Sequence, residues 1–370
     1  MNDYVFNELK ISCDWISFTV DSTDLTDSIG LFGFSLEDFR LMDRGAQGYK
    51  RMLRHPFYPI TVLYDGMPEM GVHMDVKGSA VVFFLKTVKD NYLVDTPFDC
   101  QAYAEIDSDF MPDDILPHVF SLILKHGHFT RLDIAIDDFG CHYFSISDLV
   151  HLLKQRQFVS KFRTWEHIDK QTTSSGEILG NTVYMGSRQS DVMLRIYDKQ
   201  LEQLRKKADA GIPWVRWEFE LKDLRACVFA GYVVENKTFG ILGMKLLTSY
   251  LRFIQNDDSN KSRCSSLPLW DKFVGDVGRL RLTLPETEKS VEKSMNWIKR
   301  QCLPTIAGLT LAKLGDMTFI SENLEEHYRR LCAESRHVFE KYRDEQLKML
   351  ASNAVHTGGG GAAGSYEKRV

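Results

Sequence analysis

Apolar and polar residues alternate along three early stretches, Ile11 to Val20 (ISCDWISFTV), Ile60 to Tyr64 (ITVLY) and Gly71 to Val76 (GVHMDV). Successive side chains of a strand point to opposite faces, so this period of two predicts strands with one buried face. Val81 to Leu85 is a further strand candidate. Gly30, Gly33 and the run Ser35 to Asp38 predict a turn and a short helix between the first two strands. Asp113 to Lys125 has helical spacing, with Pro112 and Pro117 near its start.

A second set of elements begins near Phe129. Arg131–Asp138, Asn181–Gly186, Val192–Asp198 and Trp214–Lys222 predict four strands. A helix follows the first, with Ser145 or Ser147 as its cap and Leu149, Leu152 and Leu153 turned inward. Ser174 to Gly176 marks a loop. A polar helix follows the third strand and ends near Gly211, and another helix follows the fourth. The order β-α-β-β-α-β-α is a split βαβ arrangement. Beyond Lys237 the pattern is helical, broken by a loop from Asp257 to Pro268, with long helices expected over Glu286–Leu303 and Ser321–Ser352. The expected class is α+β: two split-βαβ-like, antiparallel-rich units form an open sheet with helices on one face, followed by C-terminal helices. The expected boundaries are 1–125, 126–236, 237–352 and a glycine-rich flexible tail at 353–370. The two α+β units are candidates for a diverged duplication.

Composition changes this picture little. Hydrophobic residues make up 44% and charged residues 26%, a globular balance. No run of about 18 apolar residues occurs, so no membrane span is expected. The opening MNDYVFNELK lacks the basic-then-apolar pattern of a secretory signal. The seven cysteines, at 13, 100, 141, 227, 264, 302 and 332, are scattered and odd in number. They argue against a disulfide framework or a zinc knuckle and fit a reducing cytoplasm. Charge matters more. Net charge is −5, but residues 1–130 carry 10 Lys+Arg against 20 Asp+Glu, leaving 36 against 31 for the remainder. Phosphate binding needs a local basic surface rather than a basic whole, so the later part remains open to nucleic acid.

The chemistry lies in the alternation of the second set of strands. Arg131, Asp133, Ala135 and Asp137 share one face of their strand, Arg216, Glu218 and Glu220 one face of theirs, and Met193, Arg195, Tyr197 and Lys199 one face of a third. If these strands adjoin, acidic, basic and phenolic groups meet on one side of a sheet. Neighbouring carboxylates repel unless something positive lies between them. Arginines could serve, as a salt-bridge ladder. A divalent cation is the alternative, since acidic oxygens suit Mg²⁺ or Mn²⁺; Asp133, Glu218 and Glu220 would be its ligands and Asp137 a fourth or outer one. A tyrosine beside such an ion can attack a phosphodiester and become covalently linked to it. Tyr197 is the candidate nucleophile, with Arg195, Lys199 and Arg216 to stabilise charge. Tyr184, at the end of the neighbouring strand, is its rival.

Other signals are weaker. His126 and His128 resemble a metal-binding His pair, but the intervening Gly127 is not the apolar strand residue such a pair needs, so both are taken as loop or strand-start residues. His73 and Asp75 share a face that is expected to be exposed. Gly45 to Arg51 is a basic glycine turn without phosphate-loop spacing. Lys161 and Arg163, interleaved with Phe158, Phe162 and Trp165, suit single-stranded DNA or an amphipathic helix and its exit. Arg131 and Arg188 complete the candidate DNA contacts.

Several of these runs together resemble the Rep_trans family of replication initiation factors. The matching motifs are DWISFTV (14–20), MGVHMDVKGSA (70–80), FTRLDIAIDD (129–138), FRTWEHI (162–168), NTVYMGSRQSDVMLRIYDKQLEQ (181–203) and WVRWEFELK (214–222), with WDKFVGDVGRLRLTLP (270–285) and NWIKRQCLP (296–304) beyond them. The 181–203 match is the specific one. The resemblance implies a nick at a double-strand origin, a 5′-phosphotyrosine, a free 3′-OH and later rejoining. It implies an acidic rather than histidine-based metal site, with Asp133 and Glu218 or Glu220 at the family's acidic positions and its tyrosine within 181–203. It further implies origin DNA as partner, single- and double-stranded, together with a host helicase and homodimers. A conjugative relaxase and a non-catalytic DNA-binding regulator are the rival functions.

Overall fold

The two longest strands of the chain, Leu9–Val20 and Gly127–Phe139, lie side by side and antiparallel, and everything else in the sheet grows outward from that seam. In the computed structural model the described residues are 5–6, 9–92, 115–205, 211–275 and 298–329, with isolated positions at 291, 295, 336 and 339–343. Met1–Leu284 and Pro285–Val370 form separate compact units.

The first half of the larger unit contains β1 (Val5–Phe6), β2 (Leu9–Val20), α1 (Leu25–Gly30), β3 (Arg40–Leu41), β4 (Arg51–Arg54), β5 (Ile60–Tyr64), β6 (Val72–Lys77) and α2 (Ser79–Tyr92). Next come α3 (Ile115–His126), β7 (Gly127–Phe139), α4 (Ile146–Lys154), β8 (Phe158–Ser160), β9 (Trp165–Gln171), β10 (Ile178–Met185), β11 (Val192–Asp198), α5 (Lys199–Arg205), β12 (Trp214–Lys222), α6 (Asp223–Asn236), α7 (Phe239–Tyr250), β13 (Leu251–Phe253) and α8 (Pro268–Val274). The sheet order is β3-β4-β5-β6-β2-β7-β12-β11-β10-β9, all antiparallel, with β1 against β2 and a separate β8–β13 ribbon. The architecture is therefore α+β.

Outward from the seam the two halves repeat one plan. β2 is flanked by β6, β5, β4 and β3; β7 is flanked by β12, β11, β10 and β9. A helix follows each inner flanking strand, α2 after β6 and α6 after β12. The expected boundary at 125/126 thus falls where two strand sets join in a single sheet, and 236/237 also lies within the first unit.

Apart from α5, which borders the opposite side, the helices cover one face. α2 packs on β2 and β6, α3 and α6 on β7, α7 on β2, and α4 on β10 and β11. Beneath them lie Ile11, Leu132, Ile134, Ile136, Trp217 and Phe219, all buried. Trp217 meets Phe144, Phe253, Trp270 and Phe273, which ties the C-terminal part of the unit to the sheet. Each such aliphatic or Phe side chain removed from water stabilises the fold by roughly 1.5–3 kcal/mol. Ser145 caps α4: its hydroxyl accepts from the Asp148 amide, and Asp148 reaches back to the Ser145 amide.

Three expectations need correction. Val81–Leu85 is the start of α2, not a strand; Ala80, Val81, Phe84, Leu85 and Val88 are buried at helical spacing. Trp165–Gln171 is an edge strand rather than the exit of a helix, and its mostly exposed polar residues gave no alternation to read. His73 and Asp75 are buried, because Tyr49 stacks over His73 and Trp15, Ser17 and Lys77 close around Asp75.

His126 ends α3 and His128 is the second residue of β7, where its imidazole meets Asp21. Gly127 is needed between them, because a Cβ there would stand 1.9 Å from the Thr19 carbonyl oxygen. In the second unit the described helices are Leu303–Ala312, preceded by a π-helical turn at Ile298–Cys302, and Thr318–Arg329. The rest of the expected Glu286–Leu303 and Ser321–Ser352 helices, and the tail from 353, fall largely or wholly outside the described residues. No helix among the described residues is long and apolar enough to cross a membrane.

Candidate active site

The face opposite the helices carries the polar side chains, and strand register fixes which of them meet. β11 pairs with β12 so that Tyr197 faces Arg216 and Arg195 faces Glu218. β12 pairs with β7 so that Arg216 faces Asp137 and Glu220 faces Asp133. β10 places Tyr184 beside Arg195. Directly opposed residues share a face, so Asp133, Asp137, Glu218, Glu220, Arg131, Arg195, Arg216 and Tyr197 all come together. Lys199, the first residue of α5, joins them.

A cavity of about 610 Å³ opens on this face and is lined by Tyr184, Arg195, Tyr197, Lys199, Arg216 and Glu218. The Tyr197 hydroxyl donates to Glu218 Oε2 at 2.9 Å and accepts from Lys199 Nζ at 3.2 Å. Glu218 Oε1 takes the Arg195 guanidinium. Arg195 also lies 5.0 Å over the Tyr197 ring, and its buried Nε has no hydrogen-bond partner among the described residues. Burial, then the Glu218 carboxylate, holds the Tyr197 phenol far above its ordinary range. Loss of its proton therefore needs an acceptor in contact, and Glu218 is in that position.

The other half of the sheet completes the cavity. Asp14, Trp15, Lys77, Gly78 and Ser79 line it too. Between Cys13 and Trp15 the register of β2 shifts against β7, inserting Asp14 as a bulge. Asp14 accepts from Arg216 Nη1 at 2.6 Å, while Arg216 Nε and Nη2 take both oxygens of Asp137 at 2.6 and 2.8 Å. Trp214 Nε1 donates to the same Asp137 at 2.7 Å. Arg216 is thus clamped by two carboxylates. The motifs around residues 14–20 and 70–80 carried no assigned role in the sequence; only the fold brings Asp14, Trp15 and Lys77 to the cavity. Trp214, Glu202 and Gln203 are likewise lining residues that sequence reasoning missed.

The four candidate metal ligands are engaged with cations of the protein. Arg131 binds both oxygens of Asp133, at 2.8 and 2.6 Å, and reaches Glu220 at 2.8 Å; Lys222 takes the other Glu220 oxygen at 2.9 Å. The salt-bridge ladder is what these side chains form. Among the described residues no three His, Cys, Asp or Glu side chains are gathered to hold an ion. Asp133 is nevertheless the most fully enclosed of the four. Burial pushes its carboxyl up to about 8, opposed by Arg131 and assisted by Glu218 and Glu220.

The remaining candidates lie apart. Arg188 is exposed in the β10–β11 turn, its guanidinium 5.5 Å over the Tyr184 ring. Lys161 and Arg163 are exposed beside a different cavity of about 480 Å³, with Tyr250 and Arg225. Phe162 there packs towards Phe219 and Tyr250, on the helical side of the sheet. Phe158, Phe162 and Trp165 rest on the core, so they are not a stacking platform on the face that carries Tyr197.

The family described as Replication initiation factor matches residues 127–324. A protein of Bacillus subtilis (strain 168), named there as a candidate DNA relaxase, NicK, is 33% identical over 219 residues. That match covers 55% of this chain and 61% of the relative's length. The solved structure of a rolling circle replication initiator protein from Geobacillus stearothermophilus is 28% identical, with a TM-score of 0.58, covering 75% of this chain and 99% of that one.

Proposed function

The chain belongs to the replication initiation factor family, and from that membership we propose that it nicks one DNA strand at an origin to start rolling-circle replication, with Tyr197 as nucleophile. The observation that carries the reading is the contact of the Tyr197 phenol with Glu218 and Lys199, in a cavity edged by Arg195.

In this mechanism Glu218 accepts the phenolic proton as Tyr197 Oη attacks the scissile phosphorus. The bond from phosphorus to the 3′ oxygen of the preceding nucleotide breaks as the new bond forms. The 3′ oxygen leaves, takes up a proton and becomes the 3′-OH that primes a polymerase. The 5′ phosphate stays on Tyr197. One phosphodiester is exchanged for another, so no nucleotide triphosphate is consumed. Lys199 steadies the phenolate, and Arg195 Nε donates to an equatorial phosphate oxygen. Arg216, clamped by Asp14 and Asp137, acts by fixing the floor against which Tyr197 rests. Attack of a 3′-OH on the phosphotyrosine reverses the step and rejoins the strand.

The hard oxygens of Asp133, Glu218 and Glu220, with Asp137 beyond them, are the residues that would hold Mg²⁺ or Mn²⁺. The ion would supply neutralisation of the phosphate charge. Binding it would require Arg131 to release Asp133 and Glu220 and Arg195 to release Glu218. A host helicase and a second copy of the chain are the further partners this reading expects.

The test uses labelled single-stranded oligonucleotides tiling a candidate replication origin, incubated with the full chain and Mn²⁺. The expected product is a covalent protein–DNA band that maps to Tyr197 and disappears in Tyr197→Phe. A band that survives there but is lost in Tyr184→Phe moves the nucleophile to Tyr184. No band with any metal leaves a DNA-binding regulator. The likeness to the candidate relaxase favours one alternative with the same chemistry, cleavage at a transfer origin, and paired assays on replication and transfer origins separate the two.

A further inference from the structure

The uncovered face does not end at the cavity. Following the register across the sheet, one row of directly opposed side chains runs Arg40, Arg54, Thr61, Asp75, Ser17, Arg131 and Lys222, on β3, β4, β5, β6, β2, β7 and β12. Four of the seven are cationic. Its one acid, Asp75, is buried and already accepts from Trp15 Nε1, Ser17 Oγ and Lys77 Nζ. Lys77, two residues from Asp75 along β6, lines the Tyr197 cavity. The cavity and the row are therefore continuous.

The outer end of the row has no structural account of its own. Arg40 and Arg54 face each other across two short strands, and both are exposed. Like charges directly opposite destabilise a sheet edge. Neither guanidinium is ion-paired among the described residues. An anion laid between them would turn that repulsion into a binding contact. The neighbouring row, at Leu63 and His73, is roofed by Tyr49, whose hydroxyl donates to the Met70 carbonyl oxygen. The arginine row lies beside that roof and stays open. With neighbouring strands about 4.8 Å apart, Arg54 lies on the order of 10 Å beyond β6, within reach of a strand leaving the cavity past Lys77.

We propose that the first half of the sheet is a DNA track: the single strand cut at Tyr197 continues on one side of the nick past Lys77 and is held by its phosphates on the Arg40–Arg54 pair. The inference rests on the nicking reading for what enters the cavity and adds where the flanking strand goes. The acidic total of residues 1–130 does not oppose it, because seven of those acids fall between 95 and 114, a stretch without Lys or Arg.

The test measures binding by fluorescence anisotropy, with single-stranded oligonucleotides carrying the nick sequence. One is short, and two are extended by about ten nucleotides, each on a different side. The variants are Arg40→Ala/Arg54→Ala, the conservative Arg40→Lys/Arg54→Lys, and Lys50→Ala as a same-half charge control; thermal melts confirm that each folds. The expected result is about tenfold weaker binding of one extended oligonucleotide by the double alanine variant. The slope of log affinity against log salt should be shallower by about 1.4, two phosphates at roughly 0.7 each. The lysine variant keeps most of the affinity, and nicking of the short oligonucleotide is unchanged. Equal losses on all three oligonucleotides, no loss on any, or the same loss in Lys50→Ala overturns the track. Wild-type nicking of the short oligonucleotide is scored separately, so failure of the nicking reading shows there and not in the length comparison.

Discussion

At the scale of single residues, the proposed mechanism turns on the Glu218 carboxylate, because it touches the phenol that would lose its proton. Glu218→Gln is expected to lower the rate of adduct formation by about 10²–10⁴ while leaving oligonucleotide affinity near wild type. An unchanged rate in single-turnover assays would remove it as the base. Asp133 makes a different prediction. Its carboxyl, raised by burial to about 8, holds a proton more tightly folded than unfolded. Its contribution to stability is therefore present in acid, below the ordinary carboxylate range, and is lost as pH rises towards 8. Urea midpoints measured from pH 5 to pH 8 should fall more in the wild type than in Asp133→Asn. Parallel profiles would refute the shift. Much of this constellation was legible in the sequence, since alternation alone puts Tyr197, Glu218, Glu220 and Asp133 on matching faces. What alternation cannot reveal is a partner from another strand. Alternation offers Glu218 only as a metal ligand, and the fold adds its hydrogen bond to the Tyr197 phenol; it offers Arg216 as a group that stabilises phosphate charge, and the fold adds the clamp of Asp14 and Asp137.

Among the elements, β11 and β12 were readable to the residue because both faces carry strong signals, apolar towards the helices and charged away from them. β9 was missed because an edge strand needs little apolar material, and α2 was misread because Val81 and its apolar neighbours read equally well as a buried strand. The bulge at Asp14 was beyond reach, since nothing local marks an extra residue in β2. Gly127 shows the opposite case, a position whose identity only the fold explains. Gly127→Ala would drive a methyl group into the Thr19 carbonyl oxygen, and neither backbone can yield without disturbing the seam. The expected cost is about 1–3 kcal/mol, read as a lower urea midpoint with the unfolding slope unchanged. A midpoint equal to wild type would mean that the two strands part there easily.

For the molecule as a whole, the proposed track makes the uneven charge of the sequence a poor guide to where nucleic acid would go. Acidic residues dominate the first 130 positions, yet that half supplies Lys77 to the cavity and an exposed arginine pair farther along the same face. The family match begins at residue 127, which invites the view that the chemistry is self-contained from there on. The fold argues otherwise, and a truncated chain of residues 126–370 is expected to be recovered mainly as aggregate by size-exclusion chromatography. A soluble monomer that still forms the adduct would contradict this. The reason is the long pairing of Leu9–Val20 with Gly127–Phe139. Removing one partner would bare a ribbon of unsatisfied amides along the other and strip the Tyr197 cavity of one wall. Whoever wishes to graft this chemistry onto a new recognition module must therefore carry both sides of that join together and append the newcomer elsewhere.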